Sequence, residues 1–312
     1  MTKLSFSNSK MPPVRAILAL VIVLGHFSFY GVDALIPMRN LAPPAVAMFL
    51  FISGYGLTRS FEKKGTAYLD GFFHKRMLKI LLPALFVVCL HLLLCGGSGI
   101  GLLERPRLVT TQGETFLPHF WFVWAILFDY LLFWTCHKLL RGHVANYAML
   151  AGVIVFTLTT AIAGFDRCWW ICSLAFPSGV FFAEYESPLF TFFGRKESHY
   201  WLTLTILALV FIACYLTREP VIWTLCYVLI PIIGALIIAR TPLDRLRLRT
   251  LHFIGLISYE IYLIHITAMS FLRGDRIYLS SDLLFVVITL CLTIGIAYGI
   301  HSLGHIITPK TN

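Results

Sequence analysis

The chain has few charged residues for its length. Only 13% of its 312 residues are Asp, Glu, Lys or Arg, whereas about a quarter of a soluble domain is charged. Hydrophobic residues make up 58%, and the two values together indicate a membrane protein. In a soluble protein, the net charge of +10 would suggest a nucleic-acid partner. Here the basic residues lie between apolar segments, so membrane topology explains them and no nucleic-acid partner is expected.

The sequence also lacks the cysteine spacing of a zinc or redox site. Its eight cysteines form no C-x-x-C pair, and most lie inside apolar segments, so we expect buried structural thiols. His301 and His305 have the i, i+4 spacing of some metal ligands, but no carboxylate accompanies them. We expect a structural role for this pair and no metal site.

Ten apolar segments are long enough to cross a membrane as helices of about 20 residues. They are approximately 14–31, 41–60, 78–96, 117–137, 146–164, 168–185, 200–217, 221–239, 251–272 and 283–307. The sixth contains Pro177, Ser178 and Gly179, where we expect a kinked or interrupted helix. We therefore predict an all-α fold, a polytopic transmembrane helical bundle that forms one membrane domain over residues 1–312 with no soluble domain.

The distribution of basic residues predicts the orientation of these spans. If the N-terminus is cytoplasmic, 18 of the 25 Lys and Arg residues lie in cytoplasmic segments and seven lie outside. This bias follows the positive-inside rule and places both termini in the cytoplasm. No small-residue cleavage site follows the first apolar segment, so we interpret it as a retained helix and not as a signal peptide.

The first span contains two ionisable residues, Arg15 and His26, which are costly in a membrane and usually face the interior of a helical bundle. Eleven residues at 100° each come to about 20° past three full turns, so both side chains point the same way. The histidine lies roughly 16 Å along the axis from the arginine, past the middle of the membrane. Taken alone, the two residues are explained equally well by a functional role and by a structural one, in which the arginine snorkels and the core histidine bonds a neighbour.

Three other segments contain polar residues in or beside apolar runs. In the second span, Ser53, Gly54 and Tyr55 interrupt an aromatic run, and small residues such as Gly54 and Gly56 permit close helix packing. Before Pro83, two basic residues one helical turn apart form either a positive-inside cluster or a phosphate-binding pair. The candidate residues of these segments are Arg76 and Lys79 in the basic motif, and His119, Trp121 and Asp129 in the fourth span.

The ninth span holds the densest group of polar residues. Ser258, Tyr262 and His265 share one helix face at i, i+4 and i+7. Glu260 points elsewhere and needs a partner on another helix, and Tyr259 lies beside it in the sequence.

These segments together resemble the acyltransferase-3 family of bacterial membrane O-acyltransferases. The resemblance rests on five motifs that follow the family's order from residue 15 to residue 265. They are Arg15-x10-His26, Phe-Ile-Ser-Gly-Tyr at 51–55, the basic motif before Pro83, the Trp121 segment, and Gly-x-x-Ser-Tyr-x-x-Tyr-Leu-x-His at 255–265. The family often has Arg-x-x-Arg where this chain has Arg76-x-x-Lys79, a change that keeps the charge but loses a bidentate fork.

The resemblance implies transfer of an acyl group, commonly acetyl, from cytoplasmic acyl-CoA to a hydroxyl of a cell-surface glycan or glycolipid. It also implies a multi-pass protein of the bacterial cytoplasmic membrane, surrounded by lipid. Arg15, Arg76 and Lys79 would bind the CoA phosphates at the inner side. His26, His119 and His265 would be catalytic, and the remaining candidates would have substrate-binding or structural roles.

His26 has two open roles. Because an imidazole titrates near neutral pH, it suits either a general base on the acceptor hydroxyl or a carrier of the acyl group. The alternative function is a transporter or flippase of a glycan or lipid-linked intermediate, in which the same charges line a path. A sensor or scaffold without chemistry would not require the ordered motifs.

Overall fold

The computed structural model describes residues 4–96, 105–117, 119–243 and 249–307. Its regular elements are helices, apart from one isolated β-bridge between Arg273 and Tyr278, so the all-α prediction is confirmed. The helices of eight or more residues in these ranges are α1 (Met11–Phe27), α2 (Ala42–Lys64), α3 (Leu78–Cys95), α4 (Arg105–Gln112), α5 (Trp121–Leu139), α6 (His143–Ile162), α7 (Ala175–Arg195), α8 (Glu197–Leu216), α9 (Pro220–Arg240), α10 (Arg249–Leu256), α11 (Ser258–Leu272) and α12 (Asp282–Ile307).

Shorter helical segments connect these elements. Two four-residue helices and five single turns occur in the described ranges. They are the helices Ile36–Arg39 and Cys168–Ile171, the 3-10 turns Asn8–Lys10, Ser28–Tyr30, Asp33–Leu35 and Gly65–Tyr68, and the π-helical turn Phe73–Met77 that leads into α3.

Seven helical segments of the described chain are long and apolar enough to cross a membrane. They are Met11–Tyr30, Phe73–Cys95, Trp121–Leu139, His143–Ile162, Glu197–Leu216, Pro220–Arg240 and Asp282–Gly304. Two bent pairs raise the number to nine if each pair is one span: Asp33–Arg39 with Ala42–Tyr68, bent by 41°, and α10 with α11, bent by 75°. The multi-pass prediction is therefore confirmed, but the count of ten spans is not, and the cytoplasmic location of the termini stays a prediction.

The difference in span count comes from the segment predicted at 168–185. Its first part forms the four-residue helix Cys168–Ile171, and α7 begins only at Ala175. The interruption thus precedes Pro177, which lies in the first turn of α7, where backbone N–H groups have no intrahelical partner and proline is tolerated. Helix α7 carries Glu184 and Glu186 and is not among the seven apolar spans.

The chain divides into two compact units. The first contains α2, α6, α7, α8, α9 and α5 from Ala125 onward. The second contains α1, α3, α4, α10, α11, α12 and the first turn of α5, which ends at Trp124. The single membrane domain over 1–312 remains a prediction.

A close helix crossing defines the interior of the first unit. A Cβ atom added to Gly54 of α2 would lie 2.2 Å from the carbonyl oxygen of Phe176, and one added to Gly179 of α7 would lie 2.0 Å from that of Phe51. The backbones therefore touch at two reciprocal glycines, as small residues permit in membrane helices. Gly56, for which the same role was expected, has open space around its Cβ position.

In the second unit, α11 is the most buried helix. Twelve of its 15 residues are buried, and it packs against α3 and α12. The 75° bend before it brings Gly255 against α1, where an added Cβ would lie 1.8 Å from the carbonyl oxygen of Pro12. This bend and contact hold the polar residues of α11 beside α1.

The cysteine prediction is only partly correct. All eight thiols are free. Cys136, Cys172 and Cys226 are buried, but Cys89 and Cys291 are exposed on their helices. The sequence placed these two residues in apolar segments, but an apolar segment does not specify which helix face is turned outward.

Candidate active site

The site is built around His26 near the C-terminal end of α1. Arg15 and His26 lie on this one continuous helix, as their spacing predicts. His26 is partly exposed, whereas its neighbours Gly25 and Phe27 are buried. The histidine therefore stands at an accessible edge of a packed helix.

His265 of α11 lies directly against His26. Their rings are parallel within 4°, with ring centres 4.9 Å apart. Nδ1 of His26 and Nε2 of His265 are separated by 2.6 Å, which is hydrogen-bond distance. The two residues are 239 positions apart in the chain, so the bend before α11 and its packing on α1 create the pair.

The hydrogen bonds of His265 determine which nitrogen of each ring carries the proton. Nδ1 of His265 lies 2.6 Å from the carbonyl oxygen of Tyr262, and since a carbonyl only accepts, this nitrogen must donate. Nε2 of neutral His265 is then an acceptor, so Nδ1–H of His26 donates to it. The remaining nitrogen of neutral His26, Nε2, carries a lone pair, and no residue described here forms a hydrogen bond with it. This atom has the properties of a general base.

A third histidine, His119, completes the cluster. Its ring centre lies 5.0 Å from that of His265 and 6.5 Å from that of His26. Nε2 of His119 donates to the carbonyl oxygen of Leu263 at 3.2 Å, and the hydroxyl of Tyr262 donates to the carbonyl oxygen of His119. The three histidines predicted to be catalytic therefore lie together in the second unit.

The basic residues predicted to bind a donor occupy helix starts of the same unit. Arg15 is half-buried in the first turns of α1. Arg76 is half-buried in the π-helical turn Phe73–Met77, and Lys79 is exposed at the second position of α3. π-Helical turns often mark functional sites, and this one carries the basic motif into the helix that packs on α11.

Comparison with protein-family models identifies the family of this chain. The model of the acyltransferase domain of the acyltransferase-3 family matches residues 14–302, nearly the whole chain. The chain belongs to the acyltransferase-3 family. Comparison with curated proteins and with solved structures found no match. Membership shows a membrane acyltransferase that transfers acyl groups onto hydroxyls, and it confirms the resemblance seen in the sequence.

Four further predicted residues of this acyltransferase lie in the second unit. Tyr259 donates its hydroxyl hydrogen to the carbonyl oxygen of Ile80, 2.9 Å away, and so ties α11 to α3. Trp121 packs against Phe122 with ring centres 6.0 Å apart. Glu260 has the partner that its position required, since Nδ1 of His301 in α12 lies 2.8 Å from its carboxylate. Ser258, expected on the face of Tyr262 and His265, donates its hydroxyl hydrogen to the carbonyl oxygen of Gly255 at 3.0 Å and so caps the bend.

The other three predicted residues of the acyltransferase lie in the first unit. Tyr55 is buried, and its hydroxyl lies 2.6 Å from the carbonyl oxygen of Phe6 and 3.0 Å from the carboxylate of Glu186. These bonds give Tyr55 a structural role. Ser53 is half-buried on α2, and Asp129 is 3% exposed on α5.

His91 of α3 is a neighbour of the cluster that the sequence interpretation did not select. Its Nδ1 lies 3.2 Å from the hydroxyl of Thr267 in α11. Sγ of Cys95, one turn later, lies 3.8 Å from the carbonyl oxygen of Thr267. The available signal was the same as for His26, namely an ionisable side chain inside an apolar segment.

The described histidines of the acyltransferase belong to no metal-binding cluster. Among the residues that the structure describes, no group of three or more His, Cys, Asp or Glu residues has the arrangement to hold a metal ion. His301 is the partner of Glu260, while the side chain of His305 lies outside the described part of the chain.

Proposed function

We propose that this acyltransferase transfers an acyl group, in the simplest case acetyl, from acyl-CoA to a hydroxyl of a cell-surface glycan or glycolipid in the cytoplasmic membrane of a bacterium. His26 is the general base. The observation that carries the proposal is the hydrogen-bond chain from the carbonyl of Tyr262 through His265 to His26. This chain directs the lone pair of His26 to Nε2, away from His265.

In the proposed reaction, Nε2 of His26 removes the proton of the acceptor hydroxyl as its oxygen attacks the thioester carbonyl carbon. A carbon–oxygen bond forms and a tetrahedral intermediate results. The carbon–sulfur bond then breaks, and the thiolate of CoA leaves and takes the proton from the imidazolium. The products are an ester and CoA with a free thiol, and His26 returns to its starting state. Proton transfer by a positioned base of this kind contributes about 10²–10⁴-fold to rate.

The hydrogen bond to His265 suits this cycle. When His26 accepts a proton, its positive charge is shared along Nδ1–H toward Nε2 of His265, whose own proton is anchored on the carbonyl of Tyr262. His265 thereby holds the base in one tautomer and orientation, as the third member of a catalytic triad does. It is a positioning residue in this proposal.

The donor end of the proposal uses Arg15, Arg76 and Lys79. Guanidinium and ammonium groups bind phosphate by charge-assisted hydrogen bonds, and CoA carries several phosphate groups on one end of a long arm. Because Arg15 and His26 lie on one face of α1 roughly 16 Å apart, phosphates bound near Arg15 would leave the thioester within reach of the histidine.

Mass spectrometry of surface glycans tests the proposal in cells that carry either the wild-type gene or His26→Asn. The Asn side chain keeps a donor for His265 but has no base. We expect wild-type cells to show ester-linked acyl groups and the variant cells to lack them. Normal glycan acylation in the His26→Asn cells would refute the assignment of the base.

Arg15→Ala, assayed with isolated membranes, should raise KM for acyl-CoA at least about tenfold with a smaller effect on kcat.

A further inference from the structure

One fully buried nitrogen of the histidine cluster lacks a hydrogen-bond partner among the residues that the structure describes. Nδ1 of His119 is buried and, among the residues that the structure describes, forms no hydrogen bond. Buried polar atoms in proteins are almost always paired, and each exception calls for a physical explanation. His119 itself is 4% exposed, so bulk water does not satisfy this nitrogen.

The bonding of the other ring nitrogen defines what Nδ1 can bind. Because Nε2 of His119 donates its hydrogen to the carbonyl oxygen of Leu263, Nδ1 of the neutral ring carries a lone pair and can only accept. The backbone of His119 is also fixed by the hydroxyl of Tyr262. A rigid acceptor of this kind binds an O–H or N–H group and does not bind a phosphate or a carboxylate.

The location of this acceptor indicates which molecule supplies the hydrogen. The ring of His119 lies 6.5 Å from that of His26, whose Nε2 is the base for the reacting hydroxyl. This separation of the ring centres is short enough for one small molecule to contact both rings, with one hydrogen bond of about 2.8 Å from each of two hydroxyls on neighbouring carbon atoms. We propose that Nδ1 of His119 accepts a hydrogen bond from a second hydroxyl of the acceptor molecule, adjacent to the hydroxyl that is acylated. His119 thereby selects vicinal diols, an inference that rests on the proposed function.

The proposal makes His119 a specificity-determining residue. An acceptor with one hydroxyl leaves the buried nitrogen unpaired when it binds, whereas a vicinal diol satisfies it. Sites built to bond a hydroxyl discriminate strongly against analogues that lack it, because their own polar groups are then left without partners.

A matched acceptor pair tests the proposal with the full-length protein in lipid nanodiscs. The probes are trans-cyclohexane-1,2-diol and cyclohexanol, with radiolabelled acetyl-CoA as donor. For the wild type we expect kcat/KM for the diol, per hydroxyl, to exceed that for the mono-alcohol at least about tenfold.

Two variants of His119 distinguish the loss of the Nδ1 lone pair from a loss of folding. His119→Gln keeps an N–H for the carbonyl of Leu263 but has no acceptor at the Nδ1 position, so its preference for the diol should fall to about one. His119→Asn places an amide oxygen near that position and should keep part of the preference. The control is His137→Gln, which removes a buried histidine of α5 whose Nδ1 already bonds the carbonyl of Phe133 at 2.8 Å. This variant should keep the wild-type preference.

Equal wild-type rates with the two probes, zero rates included, would overturn the proposal, as would a His119→Gln enzyme that keeps the full preference. A change in KM for acetyl-CoA with no change in acceptor preference would also overturn it, because the hydrogen would then come from the donor. Failure of the proposed function is distinguishable, since it appears as normal glycan acylation in cells carrying His26→Asn.

Discussion

The pairing of His26 with His265 makes a quantitative prediction for His265→Leu. Leucine is similar in size but cannot accept the hydrogen of Nδ1 of His26, which lies 2.6 Å from Nε2 of His265 in the native protein. A buried donor left without its partner costs about 1–3 kcal/mol. The tautomer with the lone pair on Nε2 is disfavoured by this amount, so kcat should fall about 5-fold to about 150-fold, while KM for acyl-CoA changes little.

The assay is steady-state acyl transfer by purified protein, with thermal unfolding measured in parallel. His265→Gln is the informative companion, because its amide oxygen can accept from His26 and its activity should lie between those of leucine and the wild type. His137→Leu removes a buried histidine elsewhere and should lower stability without the same loss of kcat. If leucine at position 265 left kcat unchanged, or if glutamine were no better than leucine at equal stability, the tautomer argument would be refuted.

Two further predictions concern stability. Gly54→Ala should lower the free energy of unfolding by about 1–3 kcal/mol, because its Cβ would lie 2.2 Å from a carbonyl oxygen of the crossing helix; Gly56→Ala, with open space at its Cβ, should raise it by up to about 1 kcal/mol. Equal effects in a thermal unfolding assay would contradict this crossing. Glu260→Ala removes the partner 2.8 Å from His301 and should cost about 1 kcal/mol; His301→Ala should cost about as much, and additive losses in the double variant would argue against the contact.

Local geometry made much of the site predictable from the sequence. Helical periodicity placed Arg15 and His26 on one face of one helix, and it placed Tyr262 and His265 on one face of another. Both predictions depend only on residues within a few turns of each other. The need of Glu260 for a partner also followed from the cost of an ionisable group in an apolar helix, although the identity of that partner did not.

Long-range packing explains what the sequence could not provide. The contact between His26 and His265 depends on the bend before α11 and on the backbone approach of Gly255 to Pro12. No periodicity within either helix encodes these contacts. The same limit applies to Tyr55, because no local pattern encodes its hydrogen bond to Glu186, 131 residues away in the chain.

The polarity of α7 explains why the count of ten spans is not confirmed. Apolar residues on either side of the turn at 172–174 gave a continuous hydrophobic segment, but the helix that forms begins later and extends to Arg195 through Glu184 and Glu186. A sliding-window average of hydropathy does not detect such a break when two of the three turn residues, Cys172 and Leu174, are apolar.

The central claim is that His26 is the base that moves an acyl group from acyl-CoA to a hydroxyl. The most direct measurement follows radiolabelled acetyl-CoA with purified wild-type protein and with His26→Asn, both in nanodiscs with a glycan acceptor extract, and quantifies free CoA and labelled ester together. We predict equal amounts of free CoA and ester from the wild type, and neither product above background from a folded His26→Asn protein. A wild-type protein that neither binds nor cleaves acetyl-CoA, as expected of a transporter, would contradict the account, and so would a His26→Asn protein of undiminished activity.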